Sequence, residues 1–213
     1  MLLADVRNKL VRACRDLQRA GLVVGTAGNV SVRVGDLIVV SPSGVEYGEL
    51  TADQVGVHRL DGTPVEAALR PTSELALHLA VYASTSASAI VHTHSVAATA
   101  LSTVADELPA IHYYVALFGG AVPVAPYATY GSAELAGHVV RALRGRTACL
   151  MANHGAVVTG ADLQAALAGS RYLEWLCEVY LRAQGSGRPP RLLSTAEIEL
   201  VAAKLADYGQ QRP

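Results

Sequence analysis

Three histidines in two short motifs are the residues of this chain best suited to chemistry. His92 and His94 form a His-x-His pair, and His154 stands directly before Gly155. On a β-strand alternate side chains point the same way, so both imidazoles of the pair would face one side of a sheet. With the third imidazole and a carboxylate, for which Glu74 is a candidate, they make a ligand set typical of catalytic Zn²⁺. The pattern therefore predicts a metal-dependent enzyme.

Other histidines of this chain are weaker candidates for a function. His58 and His138 have the pattern of ordinary surface or helix-face residues. His78 lies four residues after Glu74, on the same face of a predicted helix. That spacing can bind a metal, but it is more often a side-chain contact within a helix, and both interpretations stay open here.

Three small polar turns are candidates for binding an anion. One of them lies at the N-terminus of a predicted helix, where hydroxyls and free backbone N–H groups meet the positive end of the helix dipole. Together the turns would hold a phosphate with neutral donors, although sequence spacing does not decide whether they converge. The three turns contain Thr72 and Ser73, Gly28 and Asn29, and Ser43 and Gly44.

Lysine is nearly absent from the chain. Only Lys9 and Lys204 occur, both in amphipathic segments near the termini. An enzyme that forms a Schiff base with a carbonyl substrate needs a lysine on a core element. We therefore expect no covalent imine chemistry.

The composition favours one cytoplasmic α/β domain spanning residues 1–213, with 51% hydrophobic and 16% charged residues. A net charge of −1 offers no field to recruit nucleic acid or anionic lipid. Charges interrupt the N-terminal apolar positions, and no apolar stretch is long enough for a membrane span, so neither a signal peptide nor a membrane segment is expected. The three cysteines are odd in number and predicted to be reduced core thiols.

Hydrophobic periodicity predicts helices interspersed with short strands, several of them in hairpins. This order favours a three-layer α/β/α fold around a mixed, largely antiparallel sheet. Thr72 or Ser73 is the expected N-cap of the second helix. The helices are predicted over 2–20, from 71, after 94, over 131–143 and 162–183, and from 194, and the strands over 30–34, 37–41, 55–60, 89–94, 121–127, 149–152 and 156–160.

Seven sequence runs resemble the class II aldolase/adducin family, and within it the L-fuculose-1-phosphate aldolases. The resemblance covers nearly the whole chain almost without gaps, so it is more specific than any single motif. The runs are GTAGNVSVR (25–33), SPSGVEY (41–47), PTSE (71–74), VHTHS (91–95), IHYYVALFGG (111–120), APYATYG (125–131) and NHG (153–155).

The resemblance implies a role for each candidate residue. His92, His94 and His154 match the zinc-binding histidines, one Zn²⁺ per subunit. Glu74 matches an acidic residue that ligates the metal at rest and acts as acid or base once substrate displaces it. The residues of the three polar turns match the phosphate-binding positions.

The resemblance also implies aromatic residues at the aldehyde end of the site and an oligomer. Tyr113 matches a tyrosine that reaches into the site of a neighbouring subunit, as catalytic acid or base or as hydrogen-bond donor. Tyr130 and Tyr208 match positions that line the aldehyde pocket. The implied assembly is a homotetramer with active sites at subunit interfaces.

The implied reaction is zinc-dependent, reversible cleavage of a ketose 1-phosphate, such as L-fuculose 1-phosphate, into dihydroxyacetone phosphate and a short aldehyde such as L-lactaldehyde. Sugar-phosphate epimerases of the superfamily carry aspartate where Glu74 stands, so this glutamate favours an aldolase. Dehydratases and decarboxylases of the same superfamily stay open as alternatives. An adducin-like module without catalysis would need no intact metal set, which disfavours it here.

Overall fold

A computed structural model describes residues 1–206, so the predicted aldehyde-pocket residue Tyr208 lies outside the described residues. Its centre is a nine-stranded sheet with the strand order β4-β3-β2-β1-β5-β9-β8-β7-β6. Neighbouring strands pair antiparallel except β7 and β8, which are parallel. The strands are β1 (Asn29–Val34), β2 (Leu37–Val40), β3 (Gly56–Arg59), β4 (Pro64–Glu66), β5 (Ala89–Thr93), β6 (Glu107–Leu108), β7 (Val122–Ala125), β8 (Ala148–Met151) and β9 (Gly155–Gly160).

Helices cover both faces of this sheet. Alternating strand residues divide between the two layers: Val91 packs in the core beneath α1 and α5, whereas Ile90 packs beneath α2 and α4. A third cluster extends the first layer across β8 and β9 to α3 and α5. The predicted three-layer α/β/α class with a mixed, largely antiparallel sheet is therefore confirmed. The helices are α1 (Ala4–Arg19), α2 (Leu75–Ser84), α3 (Val96–Ser102), α4 (Ala133–Ala142), α5 (Leu163–Gln184) and α6 (Thr195–Ala206), with a 3₁₀ helix at Tyr113–Phe118.

Side-chain caps fix the starts of α4, α5 and α6, and the Ser194–Glu197 pair before α6 has the sequence spacing of a capping box. The Asp162 carboxylate accepts a hydrogen bond from the backbone N–H of Ala165 at the start of α5. Before α6, the Ser194 hydroxyl accepts from the Glu197 backbone N–H, and the Glu197 carboxylate accepts from that of Ser194. These reciprocal bonds satisfy donors that a helix N-terminus leaves free.

The start of α2 differs from the prediction. The helix begins at Leu75 with Glu74 as its N-cap residue, so the prediction of Thr72 or Ser73 was wrong. The preceding segment is held out of the helix because the backbone N–H of Thr72 donates to Ser41 O across 3.0 Å. The Thr72 hydroxyl then accepts from the Glu74 backbone N–H. A tertiary contact thus places Glu74, rather than a hydroxyl residue, at the helix entrance.

His58 also differs from its predicted surface position. It lies on β3 with 2% of its surface exposed, opposite the buried Ile38 of β2. The short edge strands β4 and β6 were not predicted, because two or three residues carry too little alternation to signal a strand.

Cys14, Cys149 and Cys177 are free and buried, in accord with the prediction of core thiols. Within residues 1–206, the helices are too short or too polar to cross a membrane.

Candidate active site

The three histidines of the two motifs meet at one end of the sheet. His92 lies within β5, His94 follows the last residue of that strand, and His154 lies in the turn between β8 and β9. Their candidate ligand nitrogens all lie within 4.8 Å of one another. The sheet order places β9 directly beside β5, which brings together residues sixty positions apart in the chain.

Backbone contacts fix the orientation of these rings. The Nδ1 atom of His92 lies 2.9 Å from the carbonyl oxygen of Ala156 and donates a hydrogen bond to it, so Nε2 faces the cluster. A side chain at Gly155 would place its Cβ 2.1 Å from the Thr93 carbonyl oxygen. Glycine after His154 therefore permits the close approach of β9 to the end of β5.

The Glu74 carboxylate faces the histidine cluster from the entrance of α2. Its Oε2 lies 3.0 Å from His92 Nε2 and accepts a hydrogen bond from Asn29 Nδ2, also at 3.0 Å. Its Oε1 lies 3.7 Å from His154 Nε2 and is buried without a hydrogen-bond partner among the described residues. A buried carboxylate oxygen without a partner beside three imidazoles is the environment that a bound cation would complete.

Burial and neighbouring charges set the protonation of the cluster. Burial lowers the pKa of His94 to about 3, and the nearby His92 and His154 add to this. Burial also lowers the pKa of His154. Burial alone would raise the pKa of Glu74, but the charge and hydrogen bond of His92 outweigh it and hold that pKa well below its usual range. Burial alone would lower the pKa of His92, but the charge and hydrogen bond of Glu74 outweigh it and raise that pKa. A metal ion would take the place of the proton that this pair holds, because neutral imidazoles and ionised carboxylates are the forms that ligate a metal.

The three predicted anion-binding turns converge on one cavity of about 300 Å³, which Glu74, His94 and His154 also line. Two backbone N–H groups tie the turns together: that of Ser43 donates to the Arg70 carbonyl oxygen, and that of Val30 donates to the Ser41 hydroxyl. Lysine and arginine are missing from the described residues around it, so an anion would meet neutral donors. The six predicted turn residues, Gly28, Asn29, Ser43, Gly44, Thr72 and Ser73, all line the cavity.

Gly28 shows why one of these turns needs glycine. Its φ of +86° lies in the left-handed region, and a Cβ there would lie 2.8 Å from the His92 carbonyl oxygen. The turn therefore packs directly against β5, which brings the adjacent Asn29 to Glu74.

The predicted tyrosines separate into two places. Tyr130 lines the cavity at its mouth, with Tyr127 beside it, and their surfaces are 67% and 63% exposed. Tyr113 does not line the cavity of its own chain. It lies on the 3₁₀ helix, is 42% exposed and stacks on His112 with ring centroids 4.2 Å apart.

A polar group that the sequence did not reveal lies behind Glu74. His78 is fully buried and contacts Asn29 and Ser31, both on β1, rather than forming a contact within its helix. A signal for it was present, because Glu74, His78 and Tyr82 recur every four residues along an otherwise apolar helix. Such a polar stripe indicates a buried face with polar partners.

Three cavity-lining residues were also not predicted from the sequence: Thr26, Tyr127 and Asn153.

Known proteins agree with this geometry. The family model for the class II aldolase and adducin N-terminal domain matches residues 8–181. The chain is 41% identical to the L-fuculose phosphate aldolase of Escherichia coli K12, over 95% of this chain and 97% of that protein. It is 36% identical to the 5-deoxy-D-ribulose 1-phosphate aldolase of Bacillus thuringiensis, over 99% of this chain and 100% of that protein.

A solved structure of an L-fuculose 1-phosphate aldolase superimposes with a TM-score of 0.93, at 35% identity over 97% of this chain and 98% of that one. Fold, family match and relatives thus agree along nearly the whole chain. The chain therefore belongs to the class II aldolase and adducin family, as a carbon–carbon lyase of the fuculose-phosphate aldolase type.

Proposed function

We propose that this chain is a zinc-dependent aldolase that reversibly cleaves a deoxy-ketose 1-phosphate, L-fuculose 1-phosphate or a close analogue, into dihydroxyacetone phosphate and a short aldehyde such as L-lactaldehyde. The observation that carries the proposal is a single cavity in which the neutral anion-binding turns adjoin the histidine cluster and Glu74. Relatives named for L-fuculose phosphate and for 5-deoxyribulose phosphate support this substrate class.

The metal would be held by His92, His94, His154 and, before substrate binds, Glu74. Zinc bound there would supply a Lewis acid to polarise the substrate carbonyl and to stabilise the negative charge that develops when the C3–C4 bond breaks. The chain offers no buried lysine for the alternative imine route: Lys9 and Lys204 are both exposed on terminal helices.

The other residues of the cavity would bind substrate and move protons. The polar turns would hold the phosphate, whose binding energy orients the distant C3–C4 bond. In the cleavage direction the C4 hydroxyl would release its proton through Tyr113 to solvent as the bond breaks. Glu74, protonated from solvent once substrate displaces it from the histidines, would deliver its proton to C3, so that the net change is one proton lost at the C4 oxygen and one gained at C3. The reverse transfers run in the condensation direction.

Tyr113 would act on the C4 oxygen in a neighbouring subunit of a homotetramer. Its position supports this, because it lies outside its own cavity within an exposed aromatic cluster. In that cluster His112 packs edge-on to Trp175 at 5.0 Å, and Trp175 is 42% exposed. Exposed aromatic clusters of this kind are typical of protein–protein interfaces.

The aldolase assignment is tested by coupling dihydroxyacetone phosphate release to a reductase, with L-fuculose 1-phosphate as substrate. Activity should disappear after complete chelation and return on addition of Zn²⁺. Full activity in the metal-free protein would contradict the metal mechanism. If no ketose 1-phosphate releases dihydroxyacetone phosphate, the aldolase reaction itself is wrong.

The identity of the aldehyde is tested by comparing kcat/KM for the 1-phosphates of L-fuculose, rhamnulose, 5-deoxyribulose and methylthioribulose. A difference of one methyl or hydroxyl changes discrimination by about 1–3 kcal/mol in an apolar pocket, which is about 10- to 200-fold. The proposal expects the highest value for one of the deoxy-ketoses in this panel.

The shared site is tested by mixing two impaired variants, Tyr113→Phe and His92→Ala. If the tyrosine acts across an interface, mixed oligomers contain some cavities with both residues intact, so activity should rise on subunit exchange. Sedimentation analysis should show a tetramer. Activity that stays at the sum of the two variants after exchange would place Tyr113 outside the neighbouring site.

A further inference from the structure

We propose that His78 is a positioning residue that holds the side-chain amide of Asn29 with its NH₂ group toward the Glu74 carboxylate. It would act through a one-directional chain of hydrogen bonds buried between α2 and β1. The inference deepens the proposed function, because it takes the acid–base role of Glu74 from there.

The chain of contacts runs without a gap from the last turn of α2 to the carboxylate. The Tyr82 hydroxyl lies 2.8 Å from Ser31 Oγ, which lies 2.7 Å from His78 Nδ1. On the other side of the ring, His78 Nε2 lies 2.5 Å from Asn29 Oδ1. The Asn29 amide nitrogen then donates to Glu74 Oε2.

Donor and acceptor chemistry fixes the direction of every link. An ionised carboxylate only accepts, so the Asn29 atom facing Glu74 must be the NH₂ group, and its Oδ1 must accept from His78. His78 therefore carries its hydrogen on Nε2 and accepts at Nδ1 from the Ser31 hydroxyl. Ser31 in turn accepts from Tyr82. Each donor in the chain therefore faces an acceptor.

Burial makes this order matter. His78 and Ser31 have 0% of their surface exposed, Tyr82 2% and Asn29 4%. Water therefore offers little substitute if a link is lost, and a buried polar group without a partner is destabilising. With the Asn29 amide reversed, its oxygen would face the carboxylate and two acceptors would repel each other.

His78 is placed to prevent that reversal. A ring with a hydrogen on Nε2 can bond only to the oxygen of the Asn29 amide and not to its NH₂ group. The imidazole thus selects one of two amide orientations that are nearly identical in shape. Its helix position, one turn after Glu74, couples the ring to the same rigid element as the carboxylate.

The direct test is the tautomer of His78, measured by ¹H–¹⁵N correlation on the zinc-loaded protein labelled at histidine. The His78 signals are identified by their loss in His78→Gln. The proposal expects hydrogen on Nε2. Hydrogen on Nδ1 would overturn it, whatever substrate the enzyme uses.

Kinetics supply the second test, with His78→Leu and His78→Gln as the matched pair. Glutamine keeps a donor near the Nε2 position, whereas leucine removes it. We expect His78→Leu to lower kcat by about 10- to 100-fold, the usual effect of removing a residue that orients a metal-site group, and to weaken Zn²⁺ binding in a chelator competition. His78→Gln should recover most of both losses. KM should change less than kcat.

Two controls separate positioning from a general loss of structure. Val81→Ala removes buried apolar contacts from the same helix, so it should lower the melting temperature with kcat retained. In a double variant, His78→Leu should add little to Asn29→Ala, because it acts through that amide. Additive effects, or equal losses in the leucine and glutamine variants, would overturn the proposal. If the aldolase function failed instead, the tautomer and Zn²⁺ binding would still report on His78.

Discussion

The two faces of the sheet at β1 and β5 are built from the same strands but have opposite chemistry. Toward α1 and α5, Val30 and Val91 are fully buried in an apolar core. The next residue along each strand points toward α2 instead. These residues, Ser31 and His92, are equally buried but polar. A shift of one position separates a packing surface from a candidate active site, because strand side chains alternate between faces.

The contrast explains how the fold accommodates its polar cluster. A buried polar group is unfavourable unless it is hydrogen-bonded. The polar side chains around Glu74 and His78 are bonded into one network except for Glu74 Oε1, whereas His58 Nδ1, farther out on β3, also lacks a partner among the described residues. The apolar face needs no such pairing and gains free energy in proportion to the area it buries. The α2 face also buries apolar residues such as Ile90 and Val81. We therefore expect loss of catalysis at the polar residues of the α2 face and loss of stability at buried apolar residues of either face. Four predictions test this division.

The largest effect is expected on the polar face. Glu74→Gln keeps the size of the side chain but removes the acid–base group, so kcat should fall by about 10²–10⁴-fold. The melting temperature should fall little, since the amide can still pack where the carboxylate lies. Steady-state kinetics and thermal unfolding measure the two quantities. Glu49→Gln, at an exposed loop position, is the control, and a Glu74→Gln enzyme within tenfold of the parent would refute the assigned role.

The next effect tests the apolar face. Leu10 of α1 is fully buried against the sheet. Leu10→Ala should lower the free energy of unfolding by about 2–5 kcal/mol through lost transfer energy and a cavity. Urea unfolding gives this value, and kcat per folded molecule should match the parent. A selective loss of kcat would show that the two faces are not separable.

A smaller effect is expected at the anion-binding turns. The Ser43 side chain lies exposed in the cavity wall. Ser43→Ala should raise KM for the sugar phosphate by about 10- to 100-fold, the equivalent of one hydrogen bond to a charged group, with kcat nearly retained. Ser186→Ala, on an exposed segment after α5, serves as the control. An unchanged KM would remove Ser43 from the phosphate-binding set.

The smallest effect concerns His58, on the α2 face of the sheet but on the outlying strand β3. Burial lowers its pKa, so below about pH 6.5 the unfolded chain takes up a proton that the folded chain resists. Stability should therefore fall with pH from 6.5 to 5.5, by less than about 1.4 kcal/mol per unit from this group. Unfolding of His58→Leu should depend less on pH over that range. Equal slopes would mean that His58 titrates alike in both states.

Local sequence could predict those parts of the molecule that depend on neighbouring residues. The long amphipathic helices, the hairpin of β1 and β2 and the cap of α6 all follow from periodicity and capping within a few positions. The edge strands and the start of α2 did not, because strand pairing and the bond from Thr72 to Ser41 involve residues distant in sequence. The burial of His58 could not be predicted for the same reason.

For the site, the chemical groups available could be read from the residues alone: imidazoles, one suitable carboxylate, hydroxyl and glycine turns, and no core lysine. The placing of β9 beside β5, which brings His154 to His92, and the meeting of three separate turns at one cavity depend on the folded chain. The fold alone also places His78 behind Asn29 and Tyr113 outside its own cavity. The chemistry open to a side chain depends on its residue type, but the distances between side chains are set by strand order and packing across the whole chain.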